Sequence, residues 1–150
     1  MSWKDLETGD PELAALGAER FARFGVAYLA TLRRDGSPRV HPVTPIIGQG
    51  RLFLFMEPTS PKGHDLRRDG RYALHSAVSD SSGDSGEFFI AGCATFRDDP
   101  ATRRLAAESA SYAPADRYVL FELDVESAAS TLYNDGQPVR QHWKASEDGR

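Results

Sequence analysis

The chain has 150 residues, 40% of them apolar and 27% charged, with 18 Lys plus Arg against 22 Asp plus Glu and a formal net charge of −4. That length suits one domain around one core, and the acidic balance offers no field for a polyanion, so nucleic acid is not an expected partner. The single cysteine, Cys93, rules out an internal disulfide and points to a reducing, cytoplasmic setting. The charged start, Met1 to Glu7, does not read as a signal peptide, and no apolar run approaches the roughly 18 residues of a membrane span.

Pro11 to Phe24 reads as a helix. Asp10 can cap it, Pro11 fits its first turn, Leu13, Leu16, Phe21 and Phe24 share a broad face, and Gly25 ends it. From Val26 the pattern changes to short β-branched and aromatic runs. Val26 to Leu32 is a strand and Asp35-Gly36 a tight turn. Arg39 to Ile47 is a second strand, Gly48-Gln49-Gly50 a turn, and Arg51 to Glu57 a third strand, the three forming a meander. Ser60-Pro61-Lys62 starts a short helix that ends near Asp69-Gly70, with Ser60 as its cap. Arg71 to Val78 is a strand, residues 79–86 a polar loop, and Glu87 to Arg97 a long strand in which Cys93 reads as a small buried apolar residue. Asp99-Pro100 opens another helix to about Ala110. Arg117 to Val125, Ala128 to Tyr133 and Val139 to Trp143 complete the strands, the last two flanking Asp135-Gly136. The helices are too few to cover a parallel sheet, so antiparallel closure into a barrel is the simpler expectation. Residues 1–25 then form a helical segment packed on the barrel, 26–144 the barrel domain, and 145–150 a disordered tail.

Three constellations bear on chemistry. At Ser60-Pro61-Lys62 a helix start offers free N–H groups and a lysine, and Arg39 on a neighbouring strand supplies a second cation, a corner suited to a phosphate monoester. The alternative is a capped surface helix with a solvated lysine. In Arg39-Val40-His41-Pro42-Val43-Thr44-Pro45, two prolines remove ladder donors, so the strand is an edge or is interrupted, and its exposed backbone can meet a flat heteroaromatic ring. His41 is the one candidate for proton exchange, against the plainer reading of a hydrogen-bonded histidine. In Gln141-His142-Trp143-Lys144, Trp143 can stack on a ring or close the barrel. His64, His75 and His142 show no ligand spacing, so no metal site is expected. The pairs Arg33-Arg34 and Arg67-Arg68 read as solvated turn and helix faces.

Taken in order, these pieces resemble a known family. Ala30 to Val43, with Arg33-Arg34-Asp35-Gly36-Ser37-Pro38-Arg39, is similar to the opening hairpin of the pyridoxamine-5′-phosphate-oxidase-like FMN-binding split barrels. Ser60 to Leu74 is similar to that family's segment of Ser-x-Lys, short helix, Asp-x-Arg and strand. Glu87 to Arg97, followed by Asp98-Asp99-Pro100 and a helix, also fits. The resemblance implies a mainly β fold, an antiparallel split β-barrel of six to seven strands with Greek-key connections and a few short helices. It implies a homodimer with two cofactors at the subunit interface, and an FMN-dependent oxidoreductase acting on a small redox substrate. Ser60, Lys62 and Arg39 would hold the cofactor phosphate. Val40, His41, Pro42, Val43 and Thr44 would line the flavin, with Phe55 and Met56 beside the ring. The deazaflavin F420, or a non-catalytic flavin or haem protein, are alternatives on the same fold. The chain departs from true pyridoxamine phosphate oxidases at Pro61 (arginine there), at Met56 (threonine there) and in lacking their C-terminal Arg-x-His, so vitamin B6 oxidation is not the expected activity.

Overall fold

The computed structural model describes residues 1–81 and 86–146. Residues 82–85 of the expected loop and 147–150 of the expected tail lie outside them. Two helices come first, α1 (Trp3–Gly9) and α2 (Pro11–Phe24). The first is closed by a capping box in which Ser2 and Asp5 satisfy each other's backbone donors. Asp10 accepts from the Leu13 N–H, and Gly25 ends α2 at φ 68°, a left-handed conformation that favours glycine.

Among the described residues nine strands follow: β1 (Ala27–Leu32), β2 (Pro38–Val43), β3 (Ile46–Gly48), β4 (Arg51–Met56), β5 (Arg71–Ser76), β6 (Glu87–Arg97), β7 (Val119–Leu123), β8 (Ser127–Asn134) and β9 (Gln137–Lys144). Two more helices interrupt them, α3 (Pro61–Arg68) and α4 (Pro100–Ser109), each capped as its sequence predicts, by Ser60 and Asp99. All pairings are antiparallel, in two halves. One half runs β2-β1-β5-β6-β8-β9 and the other β6-β7-β4-β3. The long β6 serves both, its first part pairing β8 and its last four residues β7. This is a split, curled antiparallel barrel with more strands than the six or seven expected.

Two expectations need correction. The second predicted strand is two strands, because Thr44-Pro45 falls out of the ladder between β2 and β3. Pro42 and Pro45 carry no N–H, so the chain leaves one half of the sheet there and enters the other. Both pairings of the expected meander form, β1 with β2 and β3 with β4, but they lie in different halves of the sheet, and β4 continues to β7. Cys93 is exposed, not buried. Strand alternation on β6 puts Phe88, Ile90 and Ala94 inside and Cys93 on the outer face.

The main core packs Trp3, Leu6, Leu13 and Phe21 of the helices against Leu29, Leu54, Leu74, Phe88, Ile90 and Phe121 of the sheet. Each such side chain contributes roughly 1.5–3 kcal/mol by leaving water. The bend between β7 and β8 crosses β6 at Gly92, where a Cβ would sit 2.0 Å from the Asp124 carbonyl oxygen. That crossing is held by the Asp124 and Glu126 N–H groups on the Cys93 and Ala91 carbonyls, and by the Tyr72 hydroxyl on the Asp124 carbonyl at 2.6 Å. Ala145 still donates to Glu126. No described helix is long and apolar enough to cross a membrane.

Candidate functional site

β2 is the end strand of its half, paired only with β1 among the described residues. The five-residue turn 33–37 sets its register. The Ser37 N–H and hydroxyl bind Asp35, Arg33 and Ser37 close the turn, and Thr31 falls opposite Arg39. Thr31 and Arg39 then share one face, over which α3 lays Asp65.

Asp65 is the centre of the arrangement. It is 3% exposed and accepts from the Thr31 hydroxyl at 2.8 Å, from Arg39 Nε at 2.7 Å and from Arg68 Nη2 at 3.1 Å. Burial pushes its carboxyl up, but the hydrogen bonds from Arg39, Thr31 and Arg68 outweigh that, and its pKa lies below the usual carboxylate value. Arg68 Nη2 also donates to the Leu32 carbonyl at 2.6 Å. One buried carboxylate thus fixes two guanidiniums, each with further donors to offer.

Those guanidiniums line a cleft of about 560 Å³, together with Arg33, Arg34, Asp35, His64, Asp65 and Pro61. Four arginines face two aspartates there, a surplus of two positive charges among these six side chains. That matches the roughly −2 charge of a phosphate monoester at neutral pH. Arg33 and Arg34 are exposed on the turn and Arg68 is exposed at the end of α3, as expected, and all three also line the cleft. Arg67 differs from its neighbour, lying 3.8 Å over the Phe96 ring.

The remaining predicted residues distribute as follows. Ser60 is buried and spends its oxygen on the Gly63 N–H. Lys62 is half-buried and is not among the side chains lining the arginine cleft. It has no hydrogen bond or ion pair among the described residues, and burial alone holds its ammonium below the usual lysine range. Val40, His41 and Pro42 are exposed, Val43 is buried and Thr44 half-buried at the strand break. Phe55 and Met56 bury their side chains, Phe55 with Ile46, Phe53, Ala106 and Leu120, and Met56 in the main core. Only their backbone could pass beside a ligand. Trp143 packs on the core, with its ring against Gly9 of α1. β9 and β2 stand at opposite ends of their half, so Trp143 does not join β2 within one protomer. Among the described residues no group of three or more His, Cys, Asp or Glu is placed to hold a metal.

The outer face of the same half is apolar. Val40, Tyr28 and Phe89 are 65%, 46% and 39% exposed. Pro42, Tyr28, His75 and Phe89 lie side by side across β2, β1, β5 and β6. His75 stacks parallel on Phe89 and reaches Glu87 at 3.0 Å. His75, held by Glu87, is the polar member of this otherwise apolar row.

Sequence analysis missed Asp65, Thr31 and Arg68. The available signals were the Asp65/Arg68 spacing of one helical turn and the Thr31/Arg39 pairing implied by the hairpin.

Residues 16–132 match the sequence pattern of the family described as pyridoxamine 5′-phosphate oxidase. No curated protein matches the chain. Among solved structures, a NimC/NimA family protein from Clostridium acetobutylicum is 17% identical over 93% of this chain and 98% of that one, with a TM-score of 0.68. PhzG from Burkholderia lata, solved with tetrahydrophenazine-1-carboxylic acid, is 16% identical over 97% and 91%, with a TM-score of 0.67. A heme binding protein from Mycobacterium smegmatis is 20% identical over 87% of this chain and 57% of that one, with a TM-score of 0.65. At these identities the likeness is one of fold.

Proposed function

The chain belongs to the pyridoxamine 5′-phosphate oxidase family, and from that premise we propose that it binds FMN along β2 as a homodimer and works as a flavin-dependent oxidoreductase. The observation that carries this reading is the arginine cleft at the start of β2, built on buried Asp65 and matched in charge to a phosphate monoester. From Arg39 to Val43 the strand runs about 13 Å, and Thr44 follows it at the break. Its free edge leaves backbone donors and acceptors for the polar rim of a heteroaromatic ring, except at Pro38 and Pro42.

When bound, the flavin supplies the hydride and electron chemistry. The protein's part is to anchor the phosphate through Arg39 and Arg68, to seat the ring on residues 40–44, and to offer His41 for proton exchange. Lys62, half-buried and outside the lining of that cleft, would reach the anion only from beside it. The apolar row of Val40, Tyr28 and Phe89 adjoins β2, so a second copy on that face would cover the strand and enclose the cofactor. Trp143 then reaches a flavin only as a contribution from the other protomer. F420 and haem are the competing ligands on this fold.

The test is titration of the purified protein with FMN, F420 and haem, read by absorption. FMN bound tightest, at one per protomer, supports the proposal, and no FMN binding refutes it.

A further inference from the structure

A second concavity, of about 410 Å³, lies at the other end of β2 from the arginine cleft. Thr44 and Pro45 at the strand break form one wall, Phe21 and Ala22 of α2 another, and Ile46 and Ser109 close it beside the end of α4. Its chemistry is the opposite of the cleft's. None of its lining residues is Lys, Arg, His, Asp or Glu, whereas seven of the eight residues lining the cleft are Arg, His or Asp. Its side-chain polar groups are the hydroxyls of Thr44, Ser109 and Ser111. Ser109 already donates to the Leu105 carbonyl at 2.8 Å, so it has lone pairs to offer and no proton.

We propose that this groove is the substrate subsite, and that it takes an uncharged, largely apolar molecule bearing a single polar group. The volume is that of a small-ligand pocket, and apolar walls with a few placed hydroxyls are the usual make-up of such a site. A carboxylate or phosphate entering it would give up hydration with no cation to replace it, a cost that falls on the anion alone. The position follows from the flavin reading, on which this assignment rests. Thr44 ends the stretch proposed to line the ring, so a molecule in the groove adjoins the end of the cofactor far from its phosphate.

The experiment compares two molecules of nearly equal shape, neutral 2-acetylnaphthalene and anionic 2-naphthoate, by isothermal titration calorimetry on the purified protein, with and without added FMN. The neutral probe should bind at least tenfold more tightly. Ala22 is exposed at the groove's rim, so Ala22→Trp should abolish that binding and leave FMN affinity and Tm unchanged. Ser111→Trp, at another exposed lining position, is the second blocking variant should the first disturb folding. Equal or tighter binding of 2-naphthoate, no measurable binding of 2-acetylnaphthalene, or binding untouched by both tryptophans would overturn the proposal. Neutral preference in a protein that takes up no FMN would instead keep the groove and remove the flavin reading.

Discussion

Replacing Asp65 by Asn separates the charge of this residue from its shape. The amide keeps the volume and can still accept from Thr31, but it leaves the guanidiniums of Arg39 and Arg68 sharing one site without a counter-charge. Breaking a fully buried pair costs about 3–5 kcal/mol. Here the arginine side chains are 25% and 30% exposed, so water recovers part of that, and the expected loss is about 2–3 kcal/mol. For a domain of this length that lowers Tm by roughly 4–12 °C. The effect must also depend on pH in one direction. The folded pKa of Asp65 lies below its ordinary value of 3.8, so its contribution is complete above pH 3.8 and is lost as pH falls through the folded value. Urea unfolding of both proteins at neutral pH and across the acid range reads the difference directly. A variant within about 0.5 kcal/mol of the parent at neutral pH, or a gap that stays constant in acid, would refute the role given to this carboxylate.

Other outcomes follow from the same geometry. Arg39→Gln should weaken FMN binding about tenfold, or roughly 1.4 kcal/mol, measured by fluorescence quenching of the flavin. Gly92→Ala should destabilise strongly, because the new Cβ meets the Asp124 backbone oxygen rather than a movable side chain; a Tm drop below 2 °C would show that the β7–β8 crossing can relax. Phe89→Glu, on the outer face away from the core, should give a monomer by analytical ultracentrifugation and weaken FMN binding in parallel; an unchanged dimer would place the interface elsewhere. His41→Gln should leave FMN affinity intact while slowing reoxidation of the reduced flavoprotein, and equal rates would remove His41 from the chemistry.

Much of the fold was legible because its signals are local. Asp10, Ser60 and Asp99 each stand one residue before a proline, and all three cap the helices they announce. The Asp35-Gly36 hairpin fixed the register that brings Thr31 opposite Arg39. What stayed hidden depends on distant partners. Cys93 looked buried because Phe89 and Ala91, on its own outward face, are apolar too, and an apolar outer face masks strand alternation. The prolines announced an edge or an interruption in the second strand without deciding between them, and they did not show that the chain changes sheet halves at Thr44-Pro45, since β4 finds β7 more than sixty residues away. Arg68 is exposed as expected, but its acceptors, the Leu32 carbonyl and a buried Asp65, were not legible because they are set by packing of α3 on β1.

The most direct measurement is an FMN titration of apoprotein beside its Arg39→Gln variant, followed by absorption and flavin fluorescence. One flavin per protomer for the parent, with affinity falling about tenfold in the variant, is the predicted result. No saturable uptake by the parent, or equal affinity in both, would contradict the assignment of the arginine cleft to a flavin phosphate.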